Sequence, residues 1–299
     1  MVGSGAGRRS LSAAMRLGIT AFLTDRTLPP AALGREAEAR GFRSLFLPEH
    51  THLPVRADVP PALVDGVRAE DYRRSLDPLV ALAMVASVTE HLELGTGVML
   101  AAQHDPIVLA KQIATLDHLS GGRVVFGMGF GWNRAEAADH GVPFDRRREV
   151  ARDHILCMQA IWSQEQPSYH GTDVDLEPCW SWPKPMRQPH VPVLIGGAAT
   201  PATFASVAEY GDGWMPIGGA GLKEALPQLA RVAEQAGRDP ASVRVVPFGT
   251  VPTAGKLDHY RSLGLREVVL RVPSGTADEM FGALDRQAVF VDEFGGDGD

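Results

Sequence analysis

An apolar run, Ser44-Leu45-Phe46-Leu47-Pro48, leads directly into Glu49, His50, Thr51 and His52. His50 directly follows Glu49 at a strand end, where a histidine can take or give a proton near neutral pH. Two later stretches end in glycines: Gly95, Gly97 and Val98 close one, and Gly127, Gly129, Gly131, Trp132 and Asn133 close the next. Glycine allows unusual dihedrals and lets main-chain N–H groups approach a ligand. A further turn, Gly196-Gly197-Ala198-Ala199, opens a helix, so its free N–H groups suit an anion such as phosphate. Thr200 reads equally well as a plain N-cap, with Pro201 at the first helical position. The stretch Gly127 to Trp132 lacks the dinucleotide fingerprint, and no acidic residue ends a strand about 20 residues later. A metal on His50 and His52 would need ligands from later strands. The last two strands end in Pro247-Phe248-Gly249-Thr250 and Arg271-Val272-Pro273-Ser274, which supply none, so no metal is expected.

The elements that must position these residues alternate. Strands are expected over Arg16–Phe22, Phe42–Leu47, His91–Val98, Arg123–Met128, Pro192–Ile195, Gly213–Ile217, Val243–Pro247 and Glu267–Arg271. Helices follow them over Pro29–Arg40, Asp77–Thr89, Pro106–Leu119, Arg148–Trp162, Pro201–Tyr210, Leu222–Ala236, Lys256–Leu263 and Ala277–Phe290. Eight strand-helix pairs are the number that closes a parallel barrel, so the fold class is α/β, a (β/α)8 TIM barrel. Its active site would lie at the strand C-termini, where the glycines and Glu49-His50 fall.

Two connections exceed ordinary length, one after the second strand with four prolines, and one before the fifth, Pro167 to His190, with a short hairpin around Tyr169 to Leu176. Trp162 belongs to a helix core, while Trp180, Trp182 and Trp214 are candidates to wall an apolar pocket. The charged run Arg146 to Glu149 reads as a solvated helix start. Residues 1–14 read as a disordered arm, 15–290 as the barrel and 291–299 as an acidic tail.

The chain has 299 residues, 44% of them hydrophobic, and a net charge of -7 with no basic block, which argues against nucleic acid or an anionic membrane as partner. A small molecule is the expected ligand. The longest apolar run, Leu79 to Ala86, is far short of the roughly 20 residues a membrane span needs. Cys157 and Cys179 are the only cysteines, so no disulfide framework is expected and a reducing cytoplasm is the expected home.

Five stretches carry a family resemblance over about residues 16–288: SLFLPEHTHLP, DPLVALAMVASVTEHLELGTGV, DPIVLAKQIATLDHLSGGRVVFGMGFGWN, WSWPKP and PVLIGGAATPATFASVAEYGDGWMP. The sequence resembles the luciferase-like monooxygenase superfamily, in its branch of deazaflavin (coenzyme F420) dependent oxidoreductases. The resemblance implies a ring at the strand C-termini, backed by a non-proline cis peptide at Gly97-Val98. It implies a cofactor phosphate between the Gly129 to Asn133 loop, which includes Gly131 and Trp132, and the turn of Gly196, Gly197, Ala198 and Ala199. Glu49 and His50 match the family's acidic-His pair, with His50 the proton-transfer residue. In the sugar-phosphate dehydrogenases of the superfamily a glutamate follows the fourth-strand glycines; here Trp132 stands in its place, so that substrate is not implied. Many relatives have Gly-Gly-Asn-Gly-Pro where this chain has Gly-Gly-Ala-Ala-Thr-Pro.

The expected activity is hydride transfer between F420 and a small organic substrate. The rivals are an FMN-dependent monooxygenase that uses O2 and reduced flavin from a separate reductase, and a non-catalytic flavin-binding barrel. A homodimer is expected, with the apolar second and third helices as interface elements.

Overall fold

The computed structural model describes residues 14–55 and 70–296. Residues 1–13 of the expected arm, 297–299 of the expected tail and 56–69 of the first long loop lie outside these. The chain runs β1 (Arg16–Thr20), α1 (Pro30–Ala39), β2 (Ser44–Leu47), a 3-10 turn (Asp71–Arg73), α2 (Pro78–Ala86), β3 (Glu93–Thr96), α3 (Pro106–Ser120) and β4 (Val124–Met128). Then follow α4 (Arg134–Asp139), α5 (Arg147–Ser163), the hairpin of β5 (Tyr169–His170) and β6 (Asp175–Leu176), β7 (Val193–Gly196), α6 (Pro201–Tyr210) and β8 (Gly213–Met215). The chain closes with α7 (Leu222–Gln235), β9 (Arg244–Val245), α8 (Ala254–Ser262), β10 (Glu267–Arg271) and α9 (Ala277–Phe294).

Eight parallel strands pair in the order β10-β1-β2-β3-β4-β7-β8-β9. At the remaining seam, Val269 N–H donates to the Pro247 carbonyl at 2.9 Å and Thr250 N–H to the Val269 carbonyl at 3.0 Å. The expected (β/α)8 TIM barrel is therefore the architecture, and its strands are buried on both faces, as runs such as Leu45-Phe46-Leu47 require. Phe46, Val125, Leu194, Met215, Val246 and Val269 fill the interior, while a larger core lies between barrel and helices.

The N-terminal end is closed by charge. Glu93 of β3 receives Arg16 of β1 at 3.0 Å, Arg187 at 2.9 Å and Arg244 of β9 at 3.4 Å, and Arg244 also meets Glu267 of β10 at 2.8 Å. β3 and β9 stand four strands apart in a ring of eight, so this network ties opposite sides of the barrel.

The helices start and stop where their punctuation says. Asp105 caps α3 by accepting from Ile107 and Val108 N–H at 2.9 Å each, and Gly121 ends it in the left-handed region at φ 74°. The second long excursion is pinned by two buried carboxylates. Asp117 accepts Met186 N–H at 2.8 Å, and Asp153 accepts Thr172 and Asp173 N–H at 2.6 and 2.8 Å and the Tyr169 hydroxyl at 2.9 Å.

The structure shifts several expected boundaries and adds one helix. β3 ends at Thr96, just before the Gly97-Val98 cis peptide, although Gly97 N–H still donates to the Leu47 carbonyl at 2.8 Å. The six-residue α4 was not expected, being too short to show a period, and α9 runs to Phe294 rather than Phe290, into the expected tail. Met280, Leu284 and Phe294 bury that helix along its length.

Candidate active site

A cavity of about 420 Å³ opens at the C-terminal ends of the strands, and all eight barrel strands or the loops after them contribute to it. Its size is that of a small-molecule site, and its lining is mainly apolar. Glu49, His50, Gly97, Val98, Gly129, Gly131, Trp132, Gly196 and Gly197 all border it, as do Phe22, Tyr72, Leu100, Arg147, Arg148 and Phe248.

The floor is built on the Gly97-Val98 cis peptide. Val98 lies between two other strand ends: a Cβ on Gly129 would come within 2.4 Å of the Val98 side chain, and one on Gly196 within 2.6 Å. Those glycines are therefore required by close packing around Val98. Gly131, at φ 72°, is the loop position whose backbone favours glycine. Gly196 and Gly197 lead into α6, where Thr200 caps Thr203 N–H at 3.2 Å, the plainer of its two expected roles.

His50 is held from one side by a carboxylate and from two others by aromatic rings. Its Nδ1 lies 3.0 Å from Glu136 Oε2, with the histidine side chain 7% exposed and Glu136 fully buried. A carboxylate only accepts, so Nδ1 carries the hydrogen and Nε2 is the nitrogen left for proton transfer. The ring centroids of Tyr72 and Trp132 lie 5.2 and 5.6 Å from that of His50, both edge-to-face. Burial raises the Tyr72 hydroxyl pKa, Asp71 adds to the rise, and the charge of Arg271 opposes it. Ser75 Oγ donates to the His50 carbonyl at 2.9 Å, which fastens the loop backbone.

Helix α4 latches this loop. His50 meets Glu136, His52 Nε2 meets Asp139 at 3.0 Å, and Thr51 Oγ1 meets His140 Nε2 at 2.7 Å. Glu136 and Asp139 lie three apart on one face of α4 and His140 is its C-cap, so three successive loop residues are met by the end of one short helix. His50 and His52 thus engage different carboxylates.

Several expected site residues have other partners or places. Glu49 is not the partner of His50: its Oε1 lies 2.7 Å from His104 Nε2 and its Oε2 accepts Leu100 N–H at 2.7 Å. Asn133 does not border the cavity; it is buried as the N-cap of α4, accepting Ala135 and Glu136 N–H at 3.1 and 3.2 Å. Ala198 and Ala199 lie in the turn but are not part of the cavity wall. Nor do the three tryptophans expected as its walls line it. Trp214 is buried with Nε1 donating to the Gly197 carbonyl at 2.9 Å, and Trp180 and Trp182 are 74% and 59% exposed.

The expected solvated start of α5 supplies cations to the cavity instead. Arg147 stacks on Phe144 at 3.9 Å and donates to the carbonyls of Gly131 at 3.3 Å and Phe144 at 2.7 Å. Burial, and then the charge of neighbouring Arg148, draws the Arg147 guanidinium below its usual pKa. Arg148 stacks on Phe130 at 3.9 Å, and its Nη1 is buried without a hydrogen-bond partner among the described residues. Two side-by-side cations with an orphaned buried donor beside the Gly129 to Trp132 loop fit an anionic group such as a cofactor phosphate. The sequence signal for Glu136 was the spacing Asn133-x-x-Glu136, a cap with an acid at the third helical position. Tyr72, Arg147 and Arg148 had no such local signal.

The model of the luciferase-like monooxygenase family matches residues 29–281. An uncharacterized protein of Mycobacterium tuberculosis is 43% identical over 277 residues, which cover 92% of this chain and 98% of that protein. Among solved structures, the monooxygenase RslO1 from Streptomyces bottropensis superposes with a TM-score of 0.75 at 20% identity, covering 92% of this chain and 98% of its own. The coenzyme F420 dependent tetrahydromethanopterin reductase from Methanopyrus kandleri superposes with a TM-score of 0.70 at 17% identity, covering 94% and 100%.

Proposed function

This chain belongs to the luciferase-like monooxygenase family, and we propose that it is an oxidoreductase that passes a hydride between coenzyme F420 and a small organic substrate. The observation that carries the proposal is the pairing of a buried, carboxylate-held histidine with a cationic, partly unsatisfied rim in one apolar cavity. A fold shared with a coenzyme F420 dependent reductase supports it. When bound, the deazaflavin would supply two-electron hydride chemistry.

The chain's own residues divide the remaining work. Arg147 and Arg148, with the Gly129 to Trp132 backbone, would hold the cofactor phosphate by charge-assisted hydrogen bonds. Val98 would offer an apolar bed, and Phe22, Tyr72 and Phe248 exclude water from the cavity. His50 holds or releases a proton at Nε2, and Glu136 fixes its tautomer and stabilises the charged ring. The protein is proposed to work in the cytoplasm; no helix among the described residues is long and apolar enough to cross a membrane.

Tryptophan fluorescence tests the proposal, because Trp132 borders the cavity. Saturable quenching by F420, absent with FMN, is the expected result, and His50→Ala should bind F420 equally but lose about 100-fold or more in turnover. Preferential binding of reduced FMN would overturn hydride transfer in favour of the monooxygenase, whose fold the Streptomyces enzyme shares. Binding of F420 without turnover by either protein would leave a binding barrel only.

A further inference from the structure

His50 needs a route to solvent. Its side chain is 7% exposed and its partner Glu136 is wholly buried, so a ring and a substrate filling the apolar cavity would cut both off. A second cavity, polar and of about 320 Å³, is bordered by Gln103, His104, Asp105, His140, His154 and Asp173. Three of these are histidines. His154 Nδ1 meets the Ala101 carbonyl at 3.0 Å and His140 Nε2 meets the Thr51 hydroxyl, whereas His104 Nε2 meets the buried carboxylate of Glu49 at 2.7 Å. Glu49 borders the apolar cavity and His104 the polar one, so one hydrogen-bonded acid-base pair spans the wall between them.

We propose that Glu49 and His104 form a proton relay that connects the polar side cavity to the active-site cavity and renews the proton exchanged at His50. The proposal rests on the hydride-transfer reading, in which each hydride moves with a proton. In the inward step the His104 Nε2–H bond breaks as a Glu49 O–H bond forms, and Glu49 then passes that proton to Nε2 of His50, its neighbour on the wall of the same cavity. His104 takes a proton from the side cavity at Nδ1 as it gives up the one on Nε2, a turn of the ring restores the starting tautomer once Glu49 is ionised again, and no electrons move.

The surroundings suit a relay. Burial disfavours the His104 imidazolium, but the hydrogen bond and charge of Glu49, with Asp77 beyond it, raise its pKa above the ordinary value of 6.5. Asp105 and Asp173 across the same cavity add negative charge, and His140 and His154 are the other titratable groups that face it. The Leu100 N–H holds the second carboxylate oxygen of Glu49 at 2.7 Å, which keeps the carboxylate in the wall. Because Glu49 and His104 act through His50, they are positioning and relay residues.

The test uses the whole protein with ¹⁵N-labelled histidine and follows proton exchange of the His50 ring by NMR, without and with F420. His104→Gln keeps a donor for Glu49 but cannot carry the proton. The expected result is exchange slowed about tenfold or more in the F420-bound variant and unchanged in the free variant, where the mouth of the cavity is open. Imidazole added to His104→Ala should restore the bound-state rate. Equal bound-state rates in wild type and variant would overturn the relay, as would slowing in the free variant or failure of imidazole to rescue, which mark a structural role. If neither protein takes up F420, the hydride-transfer reading fails and the relay with it; uptake by both with unchanged exchange sinks the relay alone.

Discussion

Replacing Glu93 by glutamine tests whether the barrel is held shut at the end opposite the site. Glu93 has a side chain 9% exposed and meets three guanidiniums, of Arg16, Arg187 and Arg244. Removing one partner of a buried pair costs about 3–5 kcal/mol because the other charge is stranded. Here the arginines are 48%, 30% and 26% exposed, so water shares part of the loss. A loss of about 2–4 kcal/mol follows. For a chain of 299 residues that is a fall in Tm of roughly 3–6 °C.

The pH dependence has a definite sign. Burial disfavours the Glu93 carboxylate, but the charges of Arg244 and Arg16 and the hydrogen bond from Arg187 outweigh it and hold its pKa below 4.5. Its stabilisation is therefore complete above the unfolded pKa and is lost as pH falls through the lower folded one. Glutamine does not titrate. The gap in Tm between wild type and Glu93→Gln, measured by circular dichroism, should be full near neutral pH and close in acid. A gap under about 1 °C at neutral pH, or one that persists unchanged in acid, would refute the reasoning. Binding of F420 should be equal in both proteins, since Glu93 lies at the far end of the barrel.

Further perturbations separate the parts of the site. Glu136→Ala strands the buried Nδ1–H of His50, so stability should fall by about 1–3 kcal/mol in urea unfolding and turnover should fall while F420 affinity holds. Asn133→Ala removes the α4 cap and should cost about 1 kcal/mol by the same assay, with a smaller loss of turnover through Glu136. Arg148→Met should weaken F420 binding roughly tenfold or more with no change in Tm, the loss of a charge-assisted hydrogen bond. The expected homodimer should appear by light scattering. Val80 and Met84 of α2 and Val108 and Leu119 of α3 are exposed, so Val108→Glu should shift the mass toward the monomer if those helices meet.

What the sequence by itself determined was the scaffold. Alternating apolar runs, capping residues and terminal glycines are local signals, and eight repeats of them admit one closed parallel sheet, so the site had to lie where Glu49, His50 and the glycine turns fall. The wall residues His50, Gly97, Val98, Gly129, Gly131, Trp132, Gly196 and Gly197 follow from strand ends alone. Only the tertiary structure decided who partners whom. Glu49 and His50 are adjacent in the chain, yet successive side chains point different ways, and each found its partner far along the sequence, His104 for one and Glu136 for the other. The glycines at 129 and 196 answer to the bulk of Val98, and Arg147 and Arg148 leave the solvated surface for the rim of the cavity. Pattern is a property of neighbours in sequence. Hydrogen-bond pairing, close packing and the orphaned cation of Arg148 depend on distances across the barrel, which no local pattern encodes.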